Sequence, residues 1–128
     1  MRHALVVEAD AGTRKLCASV LQRAGFTVSA VETGVAAVTE ARAKAPDLIL
    51  LDLQLRDVRG IELVDWLRSN EALRNTPMIA IGVLNEEVSV VPEAFANLIR
   101  KPVSRTAVAQ AIADVLETAN RRRADGAD

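Results

Sequence analysis

Aromatic side chains are nearly missing from this chain, which holds two Phe, one Trp and no Tyr. Half the residues are apolar, so any core must be built from Leu, Val, Ile and Ala. Strong charge of either sign is absent as well. The formal net charge is −1, which excludes the broadly basic footprint of a usual nucleic-acid binder. The one basic run, Arg121–Arg123, closes a predicted helix and complements its negative end. A single cysteine, Cys17, rules out an internal disulfide and fits a reducing compartment; its helical setting predicts a small buried hydrophobe. No apolar run is long enough to span a bilayer, and no leader pattern opens the chain. A soluble, cytoplasmic protein is expected, with no membrane partner. The lone His3 precedes the first apolar run and is expected to be a solvated terminal residue. With it goes any Ser–His or Cys–His nucleophile pair. The turn after that run, Glu8-Ala9-Asp10-Ala11-Gly12, is not a Gly- or Ser/Thr-rich phosphate loop, which disfavours a flavin-binding or hydrolytic enzyme.

What is present is alternation. Ala4–Val7 is too short for a helix and reads as a buried strand. Asp10 or Thr13 can cap a helix carrying Leu16, Cys17, Val20, Leu21 and Ala24 at helical spacing, with Gly25 as its left-handed stop. Phe26–Ala30 alternates and is β-branched, so a more exposed strand follows. Thr33 caps a helix to about Lys44, and Pro46 blocks its continuation. Leu48–Leu51 is solidly apolar, as a central parallel strand covered on both faces must be. A helix over about Ile61–Ser69 turns Ile61, Val64 and Leu67 inward. Pro77–Ile81 and Asn97–Arg100 are the fourth and fifth strands. Between them, Leu84–Phe95 carries clustered valines and Pro92, so at most a short or broken helix is expected. The last helix runs from a Ser104 cap to about Asn120, with Val108, Ile112, Val115 and Leu116 as its buried stripe. A single domain over 1–121 and a disordered tail over 122–128 follow. Short strand–helix connections imply an α/β fold, a parallel sheet between helices, with ligands at the carboxyl ends of the strands.

That rule gathers Glu8, Asp52, Gly82 and Lys101 at one rim. Each residue alone says little; Asp52 could be an ordinary strand-end acid. As a set they matter, because two strand-end acids and a strand-end Lys101-Pro102 fall in the right elements. From Ala4 to about Leu116 the chain resembles bacterial response-regulator receiver domains. The matching stretches are Leu5-Val6-Val7-Glu8, Pro46-Asp47-Leu48-Ile49-Leu50-Leu51-Asp52-Leu53, Gly60 eight residues beyond Asp52, Pro77-Met78-Ile79, and Lys101-Pro102. The resemblance implies a doubly wound, CheY-like (flavodoxin-like) five-stranded parallel sheet of order 2-1-3-4-5. It also implies a signalling phosphoacceptor rather than an enzyme, with self-catalysed transfer and dephosphorylation at most. Asp52 would be the acceptor and Lys101 the partner of its carboxylate and phosphoryl group. The donor would be a phosphohistidine on a sensor histidine kinase or a histidine phosphotransfer protein. Glu8, Asp52 and the backbone carbonyl of Gln54 would be the ligands of a Mg²⁺ ion. Lys101-Pro102 would form a constrained turn, with a cis bond one way to make it.

The pattern also breaks. Where the family carries a second acid after the first strand, this chain has Ala9, so Mg²⁺ would bind weakly or not at all. Asp10 follows but is better placed as a cap. The family's Ser or Thr at the end of the fourth strand is Gly82, and its switch aromatic three residues before the lysine is Leu98. Losing that hydroxyl removes a hydrogen bond to a charged product, about 1.5–3 kcal/mol. An atypical output is therefore expected. Two readings stand side by side: a phosphoacceptor with an unusual output, and a phosphorylation-independent pseudo-receiver acting as a protein-interaction module. Val88–Val91 and the last helix are the candidate contact face. The downstream partner is not named by the sequence, and a homodimer is left open.

Overall fold

In the computed structural model, which describes residues 2–83 and 95–124, strands and helices alternate over residues 3–82. Strand β1 is His3–Val7, helix α1 Ala11–Arg23, β2 Thr27–Val31, α2 Gly34–Ala43, β3 Leu48–Asp52 and α3 Gly60–Ser69. A short 3₁₀ turn at Glu71–Leu73 leads to β4 at Met78–Gly82, then β5 at Asn97–Arg100 and α4 at Arg105–Ala124. All strand pairs are parallel, in the order β2-β1-β3-β4-β5. The expected doubly wound sheet is present.

The solid apolar strands explain the layering. Successive strand residues face opposite sides, so a strand covered on both faces must be apolar at every position. Ala4, Val6, Leu48, Leu50, Ile79, Ile81 and Ile99 face one side and pack with Cys17, Val20 and Leu21 of α1 and Val108, Ile112 and Val115 of α4. Their neighbours Leu5, Val7, Ile49, Leu51, Met78 and Ala80 face the other and pack with Ala37 and Ala41 of α2 and Leu63, Val64 and Leu67 of α3. Helices thus cover both faces of one continuous aliphatic sheet.

Local signals hold at most boundaries. The Asp10 carboxylate accepts the Thr13 N–H at 2.8 Å and caps α1, and Gly25 has φ +96° after its end. The Thr33 hydroxyl caps α2 through the Ala36 N–H (3.1 Å), and the Ser104 hydroxyl accepts from the Ala107 N–H (3.1 Å). Strands β2 and β4 each sit one residue later than expected.

Two expectations are corrected. His3 is not solvated: it opens β1, is 5% exposed, and its ring lies between the hydroxyls of Thr27 (2.7 Å) and Ser29 (3.0 Å) on β2. The parallel register that pairs His3 with Thr27 brings those hydroxyls to one face, beside the imidazole. Second, α4 continues through Ala124, so residues 122–124, expected in a disordered tail, belong to the helix. The remaining tail, 125–128, and the broken helix expected over Leu84–Phe95, apart from Phe95 itself, lie outside the described residues. The same holds for the candidate contact valines Val88–Val91 and for the side chain of Ile61.

Candidate functional site at the carboxyl rim of the sheet

Strand register builds the site. Val7 pairs with Leu51, so the next residues, Glu8 and Asp52, stand level on adjacent strands. Asp52 pairs with Ile81, and Gly82 with Arg100, so the chain steps from β5 directly to Lys101, whose N–H donates to the Gly82 carbonyl (3.1 Å). The Lys101–Pro102 peptide is cis. The Lys101 ammonium lies 3.2 Å from Glu8 Oε1 and 3.4 Å from Asp52 Oδ2. The expected convergence of two carboxylates and one ammonium is therefore present.

Burial sets the electrostatics. Glu8 is 0% exposed and Asp52 1%, while the Lys101 side chain keeps one quarter of its surface in solvent. Glu8 Oε2 accepts the Asp10 N–H (3.0 Å), and Asp52 Oδ1 accepts the Gln54 N–H (2.9 Å). Glu8 Oε1 meets the ammonium as an ion pair but has no hydrogen bond of good geometry among the described residues. Burial first, and then the Asp52 carboxyl beside it, push the Glu8 pKa up; Lys101 and the Asp10 amide oppose this only in part. For Lys101, burial works downward, but Asp52 and Glu8 outweigh it and hold its pKa raised. The pocket thus carries a firmly protonated lysine facing two acids, one of which gives up its proton less readily than an ordinary glutamate.

The altered positions fall as follows. Ala9 is half-buried and offers only a methyl group, and the Asp10 carboxylate is engaged with the Thr13 amide and hydroxyl (both 2.8 Å). Gly82 lies buried at the end of β4, against Leu53; an added Cβ would stand 3.4 Å from Leu53 Cβ and Cδ1. Leu98, half-buried on β5, packs at the edge of the core shared with α2 and α3, and Phe95 is buried in that same core. Gly60 is needed for close approach, since a Cβ there would come within 2.9 Å of the Leu53 backbone.

Two residues escaped the sequence reading. Arg14 on α1 donates from one guanidinium nitrogen to the carbonyls of Glu8 (2.9 Å) and Ala9 (3.2 Å), tying down the turn that carries Glu8. Asp57, in the loop after β3, accepts the Gly34 and Val35 N–H groups (each 3.0 Å) at the start of α2. Arg14 lies six residues beyond Glu8 and in a different element, a faint signal. Asp57 bonds a helix more than twenty residues earlier, and nothing local announces that.

The donors suit a small hard cation in kind. Mg²⁺ takes oxygen ligands, commonly one or two carboxylates with several waters. Glu8 and Asp52 supply carboxylates, and the unbonded Glu8 Oε1 is the type of oxygen such an ion would take. In number they are sparse, because no group of three or more His, Cys, Asp and Glu side chains that could hold a metal gathers among the described residues. An incoming ion would also meet the ammonium and a Glu8 whose pKa is held up by burial.

A parallel sheet of this order, with paired acids and a lysine at its carboxyl rim, defines a receiver-type signalling domain. The response regulator receiver domain model matches residues 4–113. The polar-differentiation response regulator DivK of Brucella ovis is 32% identical over 103 residues, covering 78% of this chain and 84% of DivK. The chemotaxis response regulator CheY4 of Vibrio cholerae superposes with a TM-score of 0.80 at 21% identity, over 90% of this chain and 98% of CheY4. NtrX from Brucella abortus gives a TM-score of 0.82 at 25% identity, covering 98% of this chain and 30% of NtrX. This chain belongs to the response regulator receiver domain family, the receiving component of two-component signalling. Among the described residues, no helix is long and apolar enough to cross a membrane.

Proposed function

We propose that Asp52 accepts a phosphoryl group from a phosphohistidine on a sensor histidine kinase or histidine phosphotransfer protein, and that the output departs from the family's usual switch. The observation that carries this reading is the Lys101 ammonium set 3.2 and 3.4 Å from the two buried acids at the sheet rim. An Asp52 oxygen attacks phosphorus, a P–O bond forms, the P–N bond breaks, and the imidazole leaves with a proton taken from solvent. Negative charge then spreads over three phosphoryl oxygens, and Lys101 is the standing cation that meets it. Burial and the Asp52 carboxyl make Glu8 give up its proton less readily than an ordinary glutamate, which sets the two acids apart. Glu8, Asp52 and the Gln54 carbonyl would hold a Mg²⁺ ion, weakly. Such an ion, when bound, would supply further positive charge to the transferring group. The chain acts as a phosphoacceptor, not as an enzyme on a separate substrate, and it works in the cytoplasm.

The atypical output follows from Gly82 and Leu98. A glycine has no hydroxyl to follow the phosphoryl group, and Leu98 is no aromatic to swing after it. The second reading, a phosphorylation-independent interaction module, is favoured by the methyl of Ala9 where a metal-binding acid belongs. Intact-mass measurement after incubation with acetyl phosphate and Mg²⁺ separates the two. Gain of one phosphoryl mass that disappears in Asp52→Asn supports the phosphoacceptor. An unmodified chain, together with no amide shift near Asp52 at millimolar Mg²⁺, gives the interaction module precedence.

A further inference from the structure

The loop after Asp52 has little slack. Its first residue, Leu53, is wedged between Gly60 and Gly82, since a Cβ on either glycine would stand 2.9 Å from Leu53 Cα or 3.4 Å from Leu53 Cβ. Leu55 is buried in the core. At the far end, the two carboxylate oxygens of Asp57 accept the Gly34 and Val35 N–H groups (3.0 Å each). Val58 closes against Gly34 so tightly that a Cβ on that glycine would collide with Val58 Cγ2. Helix α2 has no acidic residue in its own first turn, so Asp57 is the anion that meets its positive end. The bonds to Gly34 and Val35 hold the Asp57 pKa down. The loop's near end is held to the acceptor itself, because Asp52 Oδ1 accepts the Gln54 N–H at 2.9 Å.

We infer that Asp57 is a positioning residue that couples the state of Asp52 to the amino end of α2. Forming the acyl phosphate removes the carboxylate's own charge from the oxygen pair that holds Gln54, and the packed loop carries that change to the Asp57 clamp. Two amides of the α2 start depend on the clamp, as does the placement of Val35, which is 66% exposed. As a signalling route this rests on the phosphoacceptor reading; as a coupling in the resting protein it does not. It also supplies an outward path that needs neither a hydroxyl at position 82 nor an aromatic ring at position 98.

Amide hydrogen exchange, read residue by residue in the full chain, tests it with Asp52→Ala, Asp57→Asn and the double variant. Asp57→Asn should speed exchange at Gly34 and Val35 by about fivefold to tenfold, the factor that losing a cap of typical strength represents. Asp52→Ala should speed the same two amides, and the double variant should exchange no faster than Asp57→Asn. Should Asp52→Ala fold poorly, Asp52→Asn serves, with a smaller effect of the same sign. Exchange at Gly34 and Val35 that stays at the wild-type rate while Gln54 changes would overturn the coupling. So would effects of the two substitutions that simply multiply. A parallel arm with acetyl phosphate and Mg²⁺ keeps the readings apart. Phosphoryl mass on Asp52 without change at Gly34 and Val35 sinks the coupling alone. Coupled exchange in the variants without any phosphoryl mass upholds the coupling and removes the phosphoacceptor.

Discussion

Replacing Lys101 with Met tests the electrostatics of the rim directly. At 3.2 and 3.4 Å, each attraction between the ammonium and a carboxylate is worth about 5 kcal/mol gross at an effective dielectric near 20. Desolvation of two buried acids offsets much of that. Removing one partner of a buried pair typically costs about 3–5 kcal/mol. The ammonium here is one-quarter exposed, which lowers the expected loss to about 2–4 kcal/mol at pH 8. The loss should not be constant with pH. Glu8 has a raised folded pKa, so its favourable contribution is present at low pH and fades as pH rises through the folded value. Without Lys101 that folded pKa climbs further, and at pH 5 a proton on Glu8 does part of the neutralising. Lys101 itself also has a raised pKa, so in the wild type its contribution persists through the whole interval and fades only as pH rises through that folded value. The destabilisation by Lys101→Met should therefore be larger at pH 8 than at pH 5. Urea unfolding followed by Trp66 fluorescence and far-UV circular dichroism measures it. Adding Glu8→Gln to Lys101→Met should flatten the pH dependence and recover part of the loss. A destabilisation equal at both pH values, or below about 0.5 kcal/mol as for an exposed pair, would refute this account of the pocket.

Gly82→Ser should restore the missing hydroxyl, since the space beside Leu53 admits a Cβ at 3.4 Å with a small shift. The ratio of phosphorylated to unmodified chain at equilibrium with a fixed donor should rise roughly tenfold, the lower end of what a hydrogen bond to a charged group provides; an unchanged ratio by intact mass would count against the role given to that position. His3 has a pKa lowered chiefly by burial, with Lys44 adding to it, so the folded state resists taking up its proton. Stability present above its ordinary pKa should be lost as pH falls from about 7 toward 5, and the difference between wild type and His3→Gln should carry that loss. A difference flat across that interval would contradict the buried placement. Burial pushes the Cys17 thiol up to about 12, so alkylation by iodoacetamide at pH 8 should follow the urea unfolding curve. Rapid labelling of the native protein would show otherwise.

The sheet was legible because β1, β3 and β4 are apolar at nearly every position, a pattern that suits only strands covered on both faces. Glu8 and Asp52 were legible for the related reason that each follows an apolar run directly, and Lys101 because it comes one residue after such a run and precedes Pro102. One-residue offsets at β2 and β4 reflect what patterning cannot weigh. Phe26 and Pro77 are compatible with a strand, yet Phe26 is instead buried beneath the end of α1, and the Pro77 carbonyl serves β3 through the Ile49 N–H (3.1 Å). His3 was misplaced because an isolated imidazole near a chain start has no local signal of burial. Its partners, Thr27 and Ser29, come from a strand more than twenty residues later. Arg14 and Asp57 were missed for the same physical reason: each acts on backbone groups of a different element. Such bonds depend on how elements dock, which periodicity does not encode. The Arg121–Arg123 run, expected to close the last helix, falls in its last turn.

The most direct measurement is chemical trapping at position 52. Wild-type protein treated with a phosphohistidine-bearing donor and then with borohydride should yield a peptide in which residue 52 is homoserine, the reduced form of an aspartyl phosphate. That peptide should vanish in Asp52→Asn and decline sharply in Lys101→Met. Trapped product at another carboxylate, or none at residue 52 with a donor that labels other receivers, would contradict the claim that this rim receives the phosphoryl group.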